Sequence, residues 1–319
     1  MDDEKRLEET TELNNNKKGK GKLIAIISAV VLVLAGAGIF VFFRVIKPKS
    51  DYTKAKDMLQ SGDYRSAKEI FLELGDYEES TSLIRECDYV EAVEKLNVGD
   101  YEGAKEVFER ISDYKDAQDM AKECIYRPAR ELYKEGKDKE AVEMIMPIYG
   151  YSDTKFIIYE IFCKYAGQNM LDKATVATNA MSTYIQSQSK ALITFAYMAS
   201  YGYASSDTWS PDTNDSNLKK MLSAASDMTG IKNEYRNIFT TELIELSGDE
   251  TLKDADAKFM TFYDDAQSVY SQSFVLNYFH KMTQGTQDDA PINKLATDVK
   301  DFTSVVDTLK TQSKQVKED

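Results

Sequence analysis

The chain is predicted to be all-α from three observations. They are a 21-residue run without charge near the N-terminus, a self-copy at a spacing of 37 residues, and apolar steps of three and four through the remainder. Tyr52, Tyr89 and Tyr126 fall in register, as do Ala55, Ala92 and Ala129, Gly62, Gly99 and Gly136, Ala67, Ala104 and Ala141, and Tyr77, Tyr114 and Tyr151. A unit of that length is a helix pair that cannot bury its apolar face alone and leans on the next copy. The expected architecture is one transmembrane helix, then a short α-solenoid of helical hairpins, then a C-terminal helical bundle.

The charge-free run is Leu23 to Phe43, with one hydroxyl at Ser28. At the rise of an α-helix it spans about 30 Å, the hydrocarbon thickness of a bilayer. Ala35-Gly36-Ala37 offers a small-residue site for cleavage as a signal peptide, but Ile39 to Phe43 continue the apolar run past it, which favours an uncleaved anchor. Basic residues flank both ends in nearly equal number, so charge alone does not orient the helix. The cluster Lys17-Lys18-Gly19-Lys20-Gly21-Lys22 next to the run suits a signal-anchor. That places the N-terminus in the cytoplasm and residues 51–319 outside, in a single-pass protein of the cell membrane. Residues 1–22 lack apolar periodicity and read as a disordered tail.

The formal charge of the chain is -14. Because residues 1–22 balance six acids against six bases, the acidic excess belongs to the folded part. Binding to a phosphate backbone rewards clustered Lys and Arg, so nucleic acid is a poor partner for it.

Residues 44–50 read as a linker in which Pro48 stops the helix. Repeats occupy residues 51–166. In each, a first helix carrying Tyr52, Ala55 and Leu59, or Tyr89, Ala92 and Leu96, reaches a turn at Gly62-Asp63 or Gly99-Asp100. Glycine supplies a positive φ, and the Asp caps the next helix. The second helix sets Tyr64, Ala67 and Phe71, or Tyr101, Ala104 and Phe108, on one face. The pattern Gly-x-Tyr-x-x-Ala-x-x-x-Phe at 62–71 and 99–108 resembles the inter-helix turn and second helix of tetratricopeptide repeats. It decays in the third copy, where Asp138 and Ile145 replace Tyr and Phe, and the period exceeds the family's usual length of about 34. As an Asp-Tyr-rich variant behind an N-terminal anchor, it looks like repeats of Gram-positive envelope proteins. The resemblance implies a scaffold that binds a protein or peptide, with net negative charge favouring basic segments. Tyr64, Tyr101 and Glu102 are the candidate contacts.

Residues 167–319 stay helical without the period. A worn helix at Met170 to Met181, an apolar segment at Ala191 to Met198, and Ile231, Tyr235, Ile238, Phe239 and Leu246 continue the helical spacing. Ile292, Leu295, Val299, Phe302, Val306 and Leu309 form a coiled-coil-like seam that wants a partner helix. Phe259, Phe262, Ala266, Val269 and Leu276 offer one, with Gly285 to Ala290 as the turn. The stretch 201–217 is rich in turn formers and holds the one tryptophan, so Trp209 and Tyr203 are candidate ligand anchors or covers for the end of the bundle.

Catalytic signals are thin. The chain has one histidine, His280, which excludes a multi-histidine metal site. Ser-x-x-Lys occurs at Ser112, Ser152, Ser187 and Ser216 without its companion motifs. Asp212, Asn214 and Ser216 have calcium-loop spacing, but Asn217 and Ser223 stand where a Gly and a Glu are needed. Cys87 and Cys124 share a repeat position, too far apart to pair, and are expected as free buried thiols. The leading expectation is therefore a membrane-anchored interaction adapter without enzyme activity, cofactor or metal. Two others stand beside it: an envelope sensor binding a ligand or glycan through residues 167–319, and a structural spacer in a membrane complex.

Overall fold

The computed structural model describes residues 25–204 and 209–315, and every regular element among them is helical. The expected tail, residues 1–22, lies outside the described residues, as do Leu23 and Ile24.

Ala25–Gln60 forms one continuous helix, α1. Among the described residues it is the one helix long and apolar enough to cross a membrane, and none of its apolar window is buried. The break expected at Pro48 does not occur. Phe42–Ile46 winds as a π turn in which the Lys47 amide donates to the Phe42 carbonyl, and the α-helix resumes with Pro48 in its first turn. Proline has no N–H to donate and its ring crowds the turn before it; a widened turn accommodates both. The linker read at 44–50 is thus helical.

By compactness the chain divides after Ala121, inside the helix Ala117–Lys134. The cause lies in the third hairpin. Val142, Ile145, Met146, Ile157 and Ile158 belong to the same apolar core as the residues of the bundle.

In the first unit, α1 is followed by α2 (Tyr64–Leu74), α3 (Ser80–Asn97) and α4 (Tyr101–Arg110), each packed on the one before. Ala55, Ala67, Phe71 and Cys87 form one core cluster. Asp63 caps α2 by accepting the Ser66 amide, and Asp100 caps α4 by accepting that of Gly103. Gly62 and Gly99 have φ of 90° and 84°. In both turns the Asp amide reaches back five residues, Asp63 to Met58 and Asp100 to Lys95, each at 2.9 Å. A β-carbon is poorly tolerated at this φ, which is why glycine recurs here.

The second unit takes in the rest of α5 (Ala117–Lys134), then α6 (Asp138–Ile145), α7 (Thr154–Phe162), a π turn at Cys163–Gly167, α8 (Gln168–Ser200), α9 (Ser216–Ile238), α10 (Thr241–Ser247), α11 (Glu250–Val269), α12 (Gln272–Thr283) and α13 (Ala290–Ser313). The turn before α6 repeats the pattern with Gly136 at φ 74° and Lys137 bonded back to Leu132, although Lys137 gives α6 no side-chain cap. The expected seam pairs as read. Phe302 packs on both Phe259 and Phe262, and Lys294 meets Asp265, so α11 and α13 run antiparallel. A whole helix, α12, and not only the turn at 285–290, joins them. Leu246 lies exposed on the separate α10.

Candidate interaction surfaces

The 37-residue period reaches into the backbone. Among the described residues the non-glycine positions with positive φ are Glu78, Lys115 and Ser152, at 49°, 48° and 54°, one per repeat. Each follows the repeated tyrosine of the turn, Tyr77, Tyr114 or Tyr151. The tyrosine of the preceding long helix lies edge-on to it, Tyr52 on Tyr77 at 5.8 Å, Tyr89 on Tyr114 at 6.1 Å and Tyr126 on Tyr151 at 5.9 Å between ring centroids.

In the second and third copies the ring pair carries a reciprocal hydrogen-bond clasp. Tyr89 donates to Asp116 at 2.6 Å while Tyr114 donates to Glu86 at 2.7 Å. One period later Tyr126 donates to Asp153 at 2.7 Å and Tyr151 to Glu123 at 3.0 Å. The first copy has the ring pair without the clasp: Lys49 occupies the position of Glu86 and Glu123, and Glu79 that of Asp116 and Asp153. Cations cover the clasp from outside. Lys115 Nζ lies 4.8 Å from the Tyr89 ring centroid, and Arg85 and its repeat mate Lys122 lie 4.9 and 5.6 Å from Tyr114 and Tyr151.

The bond to Asp116, reinforced by burial, pushes the Tyr89 hydroxyl up to about 12 from 10.0. Burial, then the bond to Glu86, does the same for Tyr114. Both folded values lie above the unfolded one, so the clasp's contribution is whole below about pH 10 and disappears as pH climbs toward 12. Tyr114→Phe is expected to cost about 1 kcal/mol at neutral pH. In an alkaline titration followed by circular dichroism, the double variant Tyr89→Phe/Tyr114→Phe should lose stability less steeply than the native chain; equal slopes would refute the clasp.

Carboxylates elsewhere are likewise committed to structure. Asp88 is held by Lys68 and Arg110, Asp138 by Lys164 and Tyr165, and Asp256 by Tyr235 and Arg236. Asp249 collects the most. It caps α11 through the amides of Thr251 and Leu252 and accepts Tyr149 at 2.6 Å, Tyr159 at 2.7 Å and Lys155 at 3.0 Å. Burial opposes its charge, yet hydrogen bonds from Tyr149, Tyr159 and Lys155 outweigh this and hold the carboxyl well below the usual range.

Among the described residues no buried side-chain nitrogen or oxygen lacks a partner, and no three His, Cys, Asp or Glu converge as a metal set. The three cysteines are buried and form no disulfide, as expected for Cys87 and Cys124; burial pushes the Cys87 and Cys163 thiols up to about 11. His280 is exposed beside Gln284.

The residues singled out as contacts separate. Tyr64, expected on an exposed face, is only 9% accessible and donates its hydroxyl to Glu94. It is the apolar anchor of its hairpin, because the same ring that fits a binding face also fills the space beside Ala55 and Ala67. Tyr101 is half-buried and Glu102 exposed on α4. Trp209 is partly buried with its ring 5.8 Å from that of Phe279, so it covers the bundle, whereas Tyr203 is 79% exposed. Asp212 of the calcium-like spacing turns the chain by accepting the Asn214 amide, and its neighbour Asp215 caps α9 by accepting those of Asn217 and Leu218.

Two features were not legible as sites in the sequence. A cleft of about 300 Å³ opens between α8 and α13, lined by Thr178, Met181, Tyr270, Leu295 and Val299 among others. The second is the end of α8. Its buried positions, Met170, Ala174, Ala177, Ala180, Met181, Tyr184 and Gln188, stop at Gln188, and the apolar residues after them are half-buried or exposed. Comparison of the chain with family models, curated proteins and solved structures finds no match.

Proposed function

We propose that this protein is a membrane-anchored adapter, in which tetratricopeptide-like hairpins form a short solenoid whose acidic outer helices bind basic segments of another protein. The carrying observation is the division of labour on the second helices of the hairpins. Tyr64, Ala67 and Phe71 of α2, and Ala104, Val107 and Phe108 of α4, are buried, while Glu69 and its repeat mate Glu106 stand exposed with Glu102. Repeated exposed carboxylates attract cationic partners, and hairpin repeats supply extended binding faces. The aromatic and buried acidic groups are occupied in packing, which supports binding over catalysis. In this reading α1 is a signal-anchor and residues 51–319 are extracytoplasmic.

The test uses the full chain in lipid nanodiscs and a labelled Lys-rich peptide. The triple variant Glu69→Lys/Glu102→Lys/Glu106→Lys should keep its helicity and weaken binding at least about tenfold at low salt. Unchanged binding would reject the adapter and favour a spacer. Protease added to intact cells should cut residues 51–319; protection alongside a cleaved surface control would reverse the orientation. A sensor reading has one specific observation behind it, the cleft between α8 and α13, whose size lies at the low end of small-molecule sites.

A further inference from the structure

The end of α8 is an apolar stretch that packing leaves unused. Up to Gln188 the helix buries residues at steps of three and four. The seam then continues as Leu192, Phe195 and Ala199, which are only half-buried. On the other side of the same turns Ile193 is 70% exposed, Tyr197 64% and Met198 44%, and beyond the helix Tyr201 and Tyr203 are 62% and 79% exposed. A helix apolar on all sides has no polar face to leave in water, which argues against pairing with a second copy, where the outer face would stay wet. The polar groups among these side chains are hydroxyls, of Tyr197, Tyr201, Tyr203, Thr194 and Ser200, and amphipathic rings of this kind favour the boundary between headgroups and acyl chains.

Charge points the same way. In an acidic chain, the sequence from Lys173 to Ser206 contains no Asp or Glu, and from Ala191 to Ser206 no charge of either sign. Nothing along this segment opposes contact with an anionic or apolar surface. Residues 191–200 extend about 15 Å as a helix, half a bilayer's hydrocarbon thickness, so the segment is too short to span and long enough to enter one leaflet. The chain also carries its own route to lipid in α1. A tethered segment meets that surface at the high effective concentration set by its linker, so a modest apolar contact suffices.

We propose that Ala191–Tyr203 is a second membrane contact, a foot that inserts its aromatic and aliphatic side chains into the interface of the phospholipid bilayer holding α1. The inference rests on α1 being an anchor and is independent of what the hairpins bind.

It is tested on the full chain in nanodiscs holding one copy each, with a polarity-sensitive fluorophore on Tyr197→Cys, a second sample labelled at Tyr201→Cys, and a control at Thr308→Cys on the exposed face of α13. The native thiols are buried, and burial pushes those of Cys87 and Cys163 up to about 11, so the added exposed cysteine takes the label. At positions 197 and 201, emission should shift to the blue and most of it should be lost when the discs contain lipid brominated in the acyl chains, with position 308 unaffected. Emission at 197 and 201 that ignores brominated lipid overturns the proposal. So does shielding that appears in detergent as protein concentration rises, which would identify a second copy as the occupant. Retention of the chain in the discs reports α1 separately, so failure of the anchor and failure of the foot are distinguishable.

Discussion

Replacing Asp249 by alanine should lower the unfolding free energy of the second unit by about 3 kcal/mol, the low end of what removing one partner of a buried charged cluster costs. The carboxylate serves three elements at once. It caps α11, and it receives Tyr149, from the segment before α7, together with Tyr159 and Lys155 of α7 itself. Its loss strands two phenol hydroxyls, one of them on the fully buried Tyr159, and frees two amides at a helix start. Lys155 is partly exposed and regains water, which keeps the cost from being larger. Asp249→Asn retains an acceptor for the amides and should cost about half as much. Since the folded carboxyl titrates below its unfolded value of 3.8, the stabilisation is complete above about pH 4 and is lost only as pH falls below that. Denaturant melts of the full chain in detergent, followed by circular dichroism, measure both effects. A native-like midpoint for Asp249→Ala would show that the cluster is not coupled to folding.

What could be read from the sequence was what is local or periodic. The turns at Gly62, Gly99 and Gly136 each need a positive φ and recur every 37 residues, so they declare themselves. The pairing of Phe259 and Phe262 with Phe302 follows from two apolar seams of matching length. The Asp249 cluster did not show, because its partners Tyr149 and Tyr159 lie 100 and 90 residues away and Asp249 itself reads as an ordinary helix cap. Pro48 misled because the rule that proline stops a helix assumes α geometry in the turn before it, and here that turn is π. Tyr64 misled because an aromatic at a repeated position serves a binding face or a core equally well, and only its neighbours decide. The same ambiguity hid the end of α8. Apolar content at Ala191 to Met198 states a wish to leave water without naming the phase that receives it.

Phe302→Ala should be the most damaging single change in the bundle, costing about 3–5 kcal/mol as a large-to-small substitution at a closed site. The ring is fully buried on α13 and lies 5.5 Å from Phe259 and 5.4 Å from Phe262, both fully buried on α11. Phe259 in turn lies 4.7 Å from Tyr235 of α9, so one ring on α13 joins three helices through a chain of aromatic contacts. Each such contact adds about 0.5–1.5 kcal/mol beyond the area it buries. The surrounding wall cannot relax far into the void, because α13 is also held by the buried Leu295, Val306 and Leu309 and by the ion pair between Lys294 and Asp265. Phe302→Leu, which keeps most of the volume but loses the ring contacts, should cost roughly half as much. Hydrogen exchange on the full chain provides the readout. Amides of α11 and α13 should lose protection together in Phe302→Ala and less in Phe302→Leu, as expected when two helices open as one cooperative unit. If α13 alone lost protection while α11 kept it, the stacked rings would not be what binds the pair.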